Sequence, residues 1–180
     1  MSEIITRDQP MDSDMMPYRL KDPYPVPVNL ERNPKQGNLL SLAYAGKNSE
    51  FTAISQYVVH HETCSDTDPD ISNQILQIGV IEMFHLDMLG SCLKQLGTSV
   101  NLGVHNGNYT QFWTAQYIKY GRNHRERILY DIQGEKECIA QYRYIISNIH
   151  NPAIENLLER IIGDEEVHIQ LFEKMLPQPR

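Results

Sequence analysis

Apolar and small residues recur at steps of three and four through four stretches of the chain, the pattern of helix faces turning about 100° per residue. From Asn38 the face reads Ala43, Gly46, Glu50, Ile54 and Tyr57, which predicts a first helix running to about Glu62. The segment SDTDPD interrupts it, and Asp68 followed by Pro69 suits the N-cap and first turn of a second helix. That helix carries Ile75, Ile78, Glu82, His85, Leu89 and Leu93 on one stripe and stops near Gly97, a natural residue just past a helix end. A third helix, about Asn123 to Ile149, aligns Ile128, Asp131, Glu135, Cys138, Tyr142 and Ile146. Asn151 and Pro152 repeat the earlier cap grammar, and the fourth helix shows Ile154, Leu158, Ile161, Glu165, His168 and Phe172.

Two segments break the helical pattern. Residues 98–121 are long for a connector, with Gly103 and Gly107 in an irregular first part and FWTAQYIKY suited to one short helix; the length fits a crossover. Residues 1 to about 36 hold Pro10, Pro17, Pro23, Pro25, Pro27 and Pro34, which remove backbone donors and predict an extended arm. Tyr18 and Tyr24 would let the arm pack along the body or a neighbouring subunit, a disordered tail being the alternative. The division is an N-terminal arm, 1–36, and a helical domain, 37–180.

The helices come as a repeat. EFTAISQY (50–57) returns as EKECIAQY (135–142) with Glu, Ile, Gln and Tyr at identical offsets, and the proline-to-glutamate spacing from Pro69 to Glu82 equals that from Pro152 to Glu165. Two helical hairpins joined by one long connection predict an all-α chain, a four-helix bundle with pseudo-twofold symmetry.

Composition narrows the partners. At 180 residues the chain fits one domain able to bury a core. A net charge of −7, with 16 basic residues scattered among 23 acidic ones, argues against a nucleic-acid or anionic-membrane surface. Cys64, Cys92 and Cys138 form no CxxC pair, so neither a disulfide framework nor a cysteine metal site is indicated, and a reducing cytoplasm fits best. The first residues lack an apolar signal core, and no stretch reaches the roughly 18 apolar residues of a membrane helix.

Each repeat places a glutamate on its first helix and Glu-x-x-His on its second: Glu50 with Glu82 and His85, then Glu135 with Glu165 and His168. Three residues turn a helix by about 300°, so each Glu-x-x-His pair shares a face. All six residues lie within apolar stripes, where unpaired carboxylates would cost several kcal/mol each and repel one another. Cations must compensate them; oxygen and imidazole donors without thiolate favour two ions of iron or manganese.

This ligand set resembles that of ferritin-like di-iron and di-manganese carboxylate proteins. Over residues 38 to 175 the chain is similar to the rubrerythrin and bacterioferritin branch through EFTAISQY and GDEEVH; YPVPV, LAYAGKNSEFTAISQY and IEMFHLDML resemble manganese catalases and their spore-coat relatives. The resemblance implies that Glu82 and Glu165 bridge two metals, that Glu50 and His85 complete one, and that Glu135 and His168 complete the other. It further implies reaction with hydrogen peroxide or dioxygen, as a peroxidase or catalase, in a homo-oligomer. No four-cysteine domain follows Leu176, so a peroxidase would need a separate electron-donor protein. In bacterioferritin-like sites an Asp precedes each bridging Glu and orients the other half's histidine. Asp164 keeps this feature toward His85, whereas Ile81 does not, so His168 needs a different acceptor. Ferroxidation with iron storage is one alternative, and a coat or scaffold protein stiffened by metal is another.

Other residues have plainer readings. Glu50 and Glu135 are candidate proton carriers; Tyr57 and Tyr142, seven residues past their glutamates, either touch a ligand or relay an electron, or serve as core tyrosines. His60 and His61 are accounted for by the helix dipole; His105, His124 and His150 fall in or beside loops and are expected to be solvated. Met83 occupies a position like that of the haem-binding methionine of bacterioferritin, but suits ordinary helix packing. Cys92 and Cys138 suit buried small hydrophobes, and Arg122 to Arg127 a solvated face.

Overall fold

The computed structural model describes residues 17–176; the part of the expected arm on residues 1–16, Pro10 included, lies outside them. Among the described residues there are five α-helices, α1 (Pro34–Ala45), α2 (Glu50–Cys64), α3 (Pro69–Leu96), α4 (His124–Ile149) and α5 (Pro152–Met175). Two short strands, β1 (Gly103–Asn106) and β2 (Tyr109–Phe112), form an antiparallel hairpin. The first bundle position is shared by α1 and α2; α2 packs on α3 and α4 on α5, giving the two expected hairpins.

Sequence grammar sets most helix ends. Asp68 Oδ1 accepts from Ile71 N–H, and Asn151 Oδ1 from Ile154 N–H, each followed by a proline at the first helical position. Gly97 closes α3 in the left-handed region.

The first helix departs from expectation in two ways. It begins at Pro34, capped by Asn33, because a proline at the first helical position loses a donor that would have had no partner anyway. It is also interrupted at residues 46–49. Gly46 turns extended after its N–H closes onto Leu42 O, and its carbonyl accepts from the hydroxyls of Ser49 and Thr52, both at 2.8 Å. Ser49 caps the new helix, so Glu50 stands in the first turn of α2, where the helix dipole favours a carboxylate.

The crossover also differs. In place of the short helix at FWTAQYIKY there are strand β2, a 3₁₀ turn at Ala115–Tyr117 and extended chain. The Gly107–Asn108 pair forms the two-residue hairpin loop, with Gly107 at φ 60° in its first position, where glycine is favoured. His105 is buried rather than solvated, its ring held between Ser99 O at 2.8 Å and Thr110 Oγ1 at 2.9 Å.

His60 likewise proves structural. It is fully buried, donates through Nε2 to Lys119 O and faces Asp131 through Nδ1, each at 2.9 Å, while Gln56 joins Asp131 to Lys119 N. This polar clasp ties the crossover to α2 and α4. His61 instead bonds Ser72, His124 is half-buried beside the Cys64 thiol, and only His150, at the end of α4, is exposed as expected. Cys64, Cys92 and Cys138 are free and buried, and Met83 is about half exposed.

The core divides along the bundle axis. One apolar cluster gathers Leu89, Leu93, Ile145, Leu158 and Ile161; the other gathers Ile75, Ile78, Ile128, Ile132 and Phe172. Between them, on every long helix, comes a layer of acidic and histidine side chains. Apolar replacements there would each add about 1.5–3 kcal/mol of burial energy, so the layer exists for something other than stability. By length and composition α3 could cross a bilayer, but 50% of its apolar window is buried inside the bundle.

Candidate metal centre

Each long helix delivers its polar residues to the same level. Glu50, Glu82, His85, Glu135, Glu165 and His168 are all buried, at 0–1% exposure. One atom from each of Glu50, Glu82, His85 and Glu165 falls within 4.8 Å of the others, and a second such group joins Glu82, Glu135, Glu165 and His168. Glu82 and Glu165 belong to both, and the remaining residues divide by repeat as the twofold pattern requires.

The histidines point inward through Nδ1. His85 Nδ1 lies 3.1 Å from Glu82, 3.5 Å from Glu165 and 3.7 Å from Glu50. His168 Nδ1 lies 2.9 Å from Glu82, 3.0 Å from Glu165 and 3.4 Å from Glu135. Their outer nitrogens are held from behind. His85 Nε2 faces Asp164 Oδ2 at 3.1 Å, as its position before Glu165 implied. His168 Nε2 donates to the backbone carbonyl of Tyr18 at 3.0 Å, which supplies the acceptor missing at Ile81. A carbonyl only accepts, so this bond leaves the Nδ1 lone pair of neutral His168 directed at the cluster.

Tyrosines support the terminal glutamates across the pseudo-twofold. Tyr57 donates to Glu135 Oε1 at 2.5 Å, and Tyr142 donates to Glu50 Oε1. Burial first, then the adjacent glutamate, pushes both phenols well above their ordinary range, so they stay neutral donors. Beside Tyr57 and Cys138 a narrow cavity of about 30 Å³ also touches Ser49, Gln56, Lys119 and Gly134, room for about two waters.

The donor set fits divalent cations. Glu50 Oε2, Glu82 Oε1 and Glu165 Oε1 are buried with no hydrogen-bond partner, facing the inward histidine nitrogens, whose lone pairs they meet when the imidazoles are neutral. Orphaned carboxylate oxygens at zero exposure are costly unless something else satisfies them. Proton affinities tell the same story for the cation-free cluster. Burial, then repulsion by Glu165 and its neighbours, raises Glu82 well above the carboxylate range and Glu135 to about 8. Burial alone would lower both histidines, but Tyr24 and Glu50 around His85, and Glu82, Glu135 and Glu165 around His168, raise them. Glu165 is also buried, yet the two histidines beside it bring it down. Without cations, protons neutralise this centre.

Sequence reasoning missed the surroundings. Tyr24 donates to Asp164 Oδ2 at 2.6 Å, and Arg160 reaches Asp164 Oδ1 at 2.6 Å while lying 4.4 Å over the Tyr24 ring. Tyr24 packs the arm against the body as expected, but nothing in its spacing ties it to Asp164.

A bundle of two repeated helical hairpins, with carboxylates and histidines gathered at mid-height, defines the ferritin-like class. The sequence model of the ferritin-like domain family matches residues 47–180, and the chain belongs to that family. It is 26% identical over 168 residues to a probable manganese catalase of Clostridium acetobutylicum, spanning 83% of this chain and 74% of that protein. It is 24% identical over 131 residues to a bacterioferritin of Brucella melitensis, spanning 71% and 75%. The structure of KatB, a manganese catalase from Anabaena PCC7120, matches with TM-score 0.74 at 22% identity, over 83% of this chain and 74% of that one, a likeness of fold. Rhodobacter capsulatus bacterioferritin, solved with a metal-free dinuclear site, matches with TM-score 0.68 at 25% identity, over 82% and 86%.

Proposed function

We propose that the chain is a dinuclear iron or manganese oxidoreductase acting on hydrogen peroxide. Glu50 and His85 would hold one ion and Glu135 and His168 the other, with Glu82 and Glu165, which belong to both groups, shared between them. The observation that carries this reading is the trio of buried carboxylate oxygens without hydrogen-bond partners, set between two inward-facing histidine nitrogens. When bound, two such ions supply Lewis acidity and two electrons shared between them.

The protein's own groups prepare the rest. Asp164 and the Tyr18 carbonyl orient the histidines, and Tyr57 and Tyr142 hold the outer glutamates in place. Glu50 or Glu135, each a terminal ligand with a neutral phenol at hand, is placed to move a proton to or from a peroxide oxygen. The cavity beside Tyr57 and Cys138 has room for molecules the size of water or peroxide.

The likeness to a probable manganese catalase favours disproportionation, in which two peroxides give two waters and one dioxygen without an outside reductant. A peroxidase would draw two electrons from a separate donor protein. The bacterioferritin likeness supports a second reading, ferroxidation with dioxygen for iron storage. Free buried cysteines suit a reducing cytoplasm, and the chain is taken to act as a homo-oligomer.

Metal analysis of protein from its native host, with oxygen evolution on adding peroxide, tests this. Two manganese ions per chain with rapid gas release support a catalase; iron without gas, turning over with a reductant, supports a peroxidase. Iron taken up into a 24-subunit shell supports storage. Metallated protein inert in all three assays overturns the enzymatic reading and leaves a scaffold.

A further inference from the structure

The chain between Tyr18 and Val28 belongs to no helix or strand, yet it is bonded to the centre from outside at both histidines. Tyr18 gives its carbonyl to His168 Nε2. Leu20 N–H donates to Asp164 Oδ1 at 2.7 Å, and Tyr24, 6% exposed, donates to Asp164 Oδ2, the oxygen that His85 Nε2 faces. Arg160 secures the same stretch, reaching Leu20 O at 2.8 Å and Asp22 O at 2.9 Å. Gly163 lies directly beneath the Leu20 side chain, a Cβ there falling 2.5 Å from Leu20 Cδ1. Further along, Gln95 accepts from Leu30 N–H and donates to Pro27 O.

We infer that residues 18–24 are a strap whose docking and metal loading are coupled: the docked strap orients both histidines for the ions, and the ions hold the strap down. This rests on the dinuclear reading above. The coupling follows from placement. Among the described residues, His168 Nε2 has the strap's carbonyl as its one acceptor, so releasing the strap frees the imidazole to turn. Asp164 would keep Arg160 but lose both strap donors, Leu20 N–H and Tyr24 hydroxyl, and His85 would lose a fixed partner. Conversely, an ion on Nδ1 of each histidine fixes the ring plane and strengthens the acceptor demand at Nε2, which favours the docked strap. Coupling of this kind is reciprocal: whatever metal adds to strap docking, the strap adds to metal affinity.

The sequence also offers a readout. Leu20, Lys21, Asp22 and Pro23 are solvent-exposed, so trypsin can act after Arg19 or Lys21 once the local backbone bonds open. The full-length protein is stripped with chelator, divided, and one half reloaded with Mn(II); bound metal is counted in both, and trypsin fragments are followed by mass. Loaded protein is expected to be cut after Arg19 or Lys21 at least about tenfold more slowly than stripped protein. Tyr24→Phe, which removes one strap bond without changing shape, is expected to narrow that protection and to weaken Mn(II) binding about tenfold. Two ions bound per chain with identical cutting of loaded and stripped protein overturns the strap and leaves the dinuclear reading standing. Failure of the wild type to bind metal overturns both. Should Tyr24→Phe fail to fold, the comparison of loaded with stripped wild-type protein decides alone.

Discussion

His85 and His168 occupy matching places in the two hairpins, each three residues after a shared glutamate, yet they are held from behind by different means. His85 rests on a carboxylate that also engages Arg160, Tyr24 and Leu20 N–H. His168 rests on one backbone carbonyl. Burial alone would raise Asp164, but His85, Arg160 and Tyr24 bring it below the usual carboxylate range, so a full negative charge backs the first imidazole. The second has only a dipole. The repeat thus carries the inner donors twice, while the outer support differs, with an element outside the repeat supplying what Ile81 does not.

The contrast between shared and divided parts gives the largest effect. Because Glu82 and Glu165 serve both positions, Glu82→Ala or Glu165→Ala is expected to reduce bound metal from two ions per chain to none. Elemental analysis after dialysis reads this, and two tightly held ions in either variant would break the bridging assignment.

Next comes the difference between the halves. Asp164→Asn keeps the shape but removes the charge behind His85, so one of two Mn(II) binding steps should weaken about 10–100-fold while the other moves far less. Calorimetric titration resolves the steps; equal weakening of both would show that the halves are not distinct.

How much of this was legible in the chain depends on whether a feature is written in side chains or in backbone. The six inward residues were readable because helix periodicity fixes their face and their chemistry forbids burial without compensation. Asp68–Pro69, Asn151–Pro152 and Gly97 announced their helix ends for local reasons. The break at 46–49 is written as AGKNSE, a glycine followed by a serine cap, but Gly46 also fits the helical stripe, so periodicity alone runs through it. The hairpin is written only as Gly107–Asn108 between two short stretches, Gly103–Asn106 and Tyr109–Phe112, too brief and too polar to show a strand period. The His60–Asp131 clasp needed two helices and the crossover in one place, which no single period displays. Least visible was the Tyr18 carbonyl, since a backbone acceptor has no sequence signature and only the fold says which one is presented.

The acidic layer as a whole can be compared with and without cations. Glu135, raised to about 8, and Glu82, His85 and His168, also raised, bind protons in the folded metal-free protein that they do not bind when unfolded. For the glutamates that stabilising protonation is complete below the ordinary carboxylate range and is lost as pH rises through the folded value of about 8 for Glu135. The metal-free fold should therefore weaken between about pH 4.5 and 8, while cations replace the departing protons. The rise in melting temperature on adding Mn(II) is expected to be larger at pH 8 than at pH 5.5. A metal shift that shrinks toward alkaline pH would mean the layer does not exchange protons for cations.

The smallest effect tests where the symmetry survives. Tyr57 and Tyr142 each support the terminal glutamate of the other repeat, and both are fully enclosed, so the two halves are alike at this level even though they differ behind the histidines. Removing one buried hydroxyl should cost about 1 kcal/mol net, roughly fivefold in affinity at the position whose glutamate it holds. Tyr57→Phe should act at the position of Glu135 and His168, and Tyr142→Phe at that of Glu50 and His85, with similar size. Titrating both variants with Mn(II) beside Asp164→Asn separates the levels. Should the two tyrosine variants differ from each other as strongly as Asp164→Asn differs from wild type, the asymmetry would reach the inner glutamates, and the strap could no longer account for it alone.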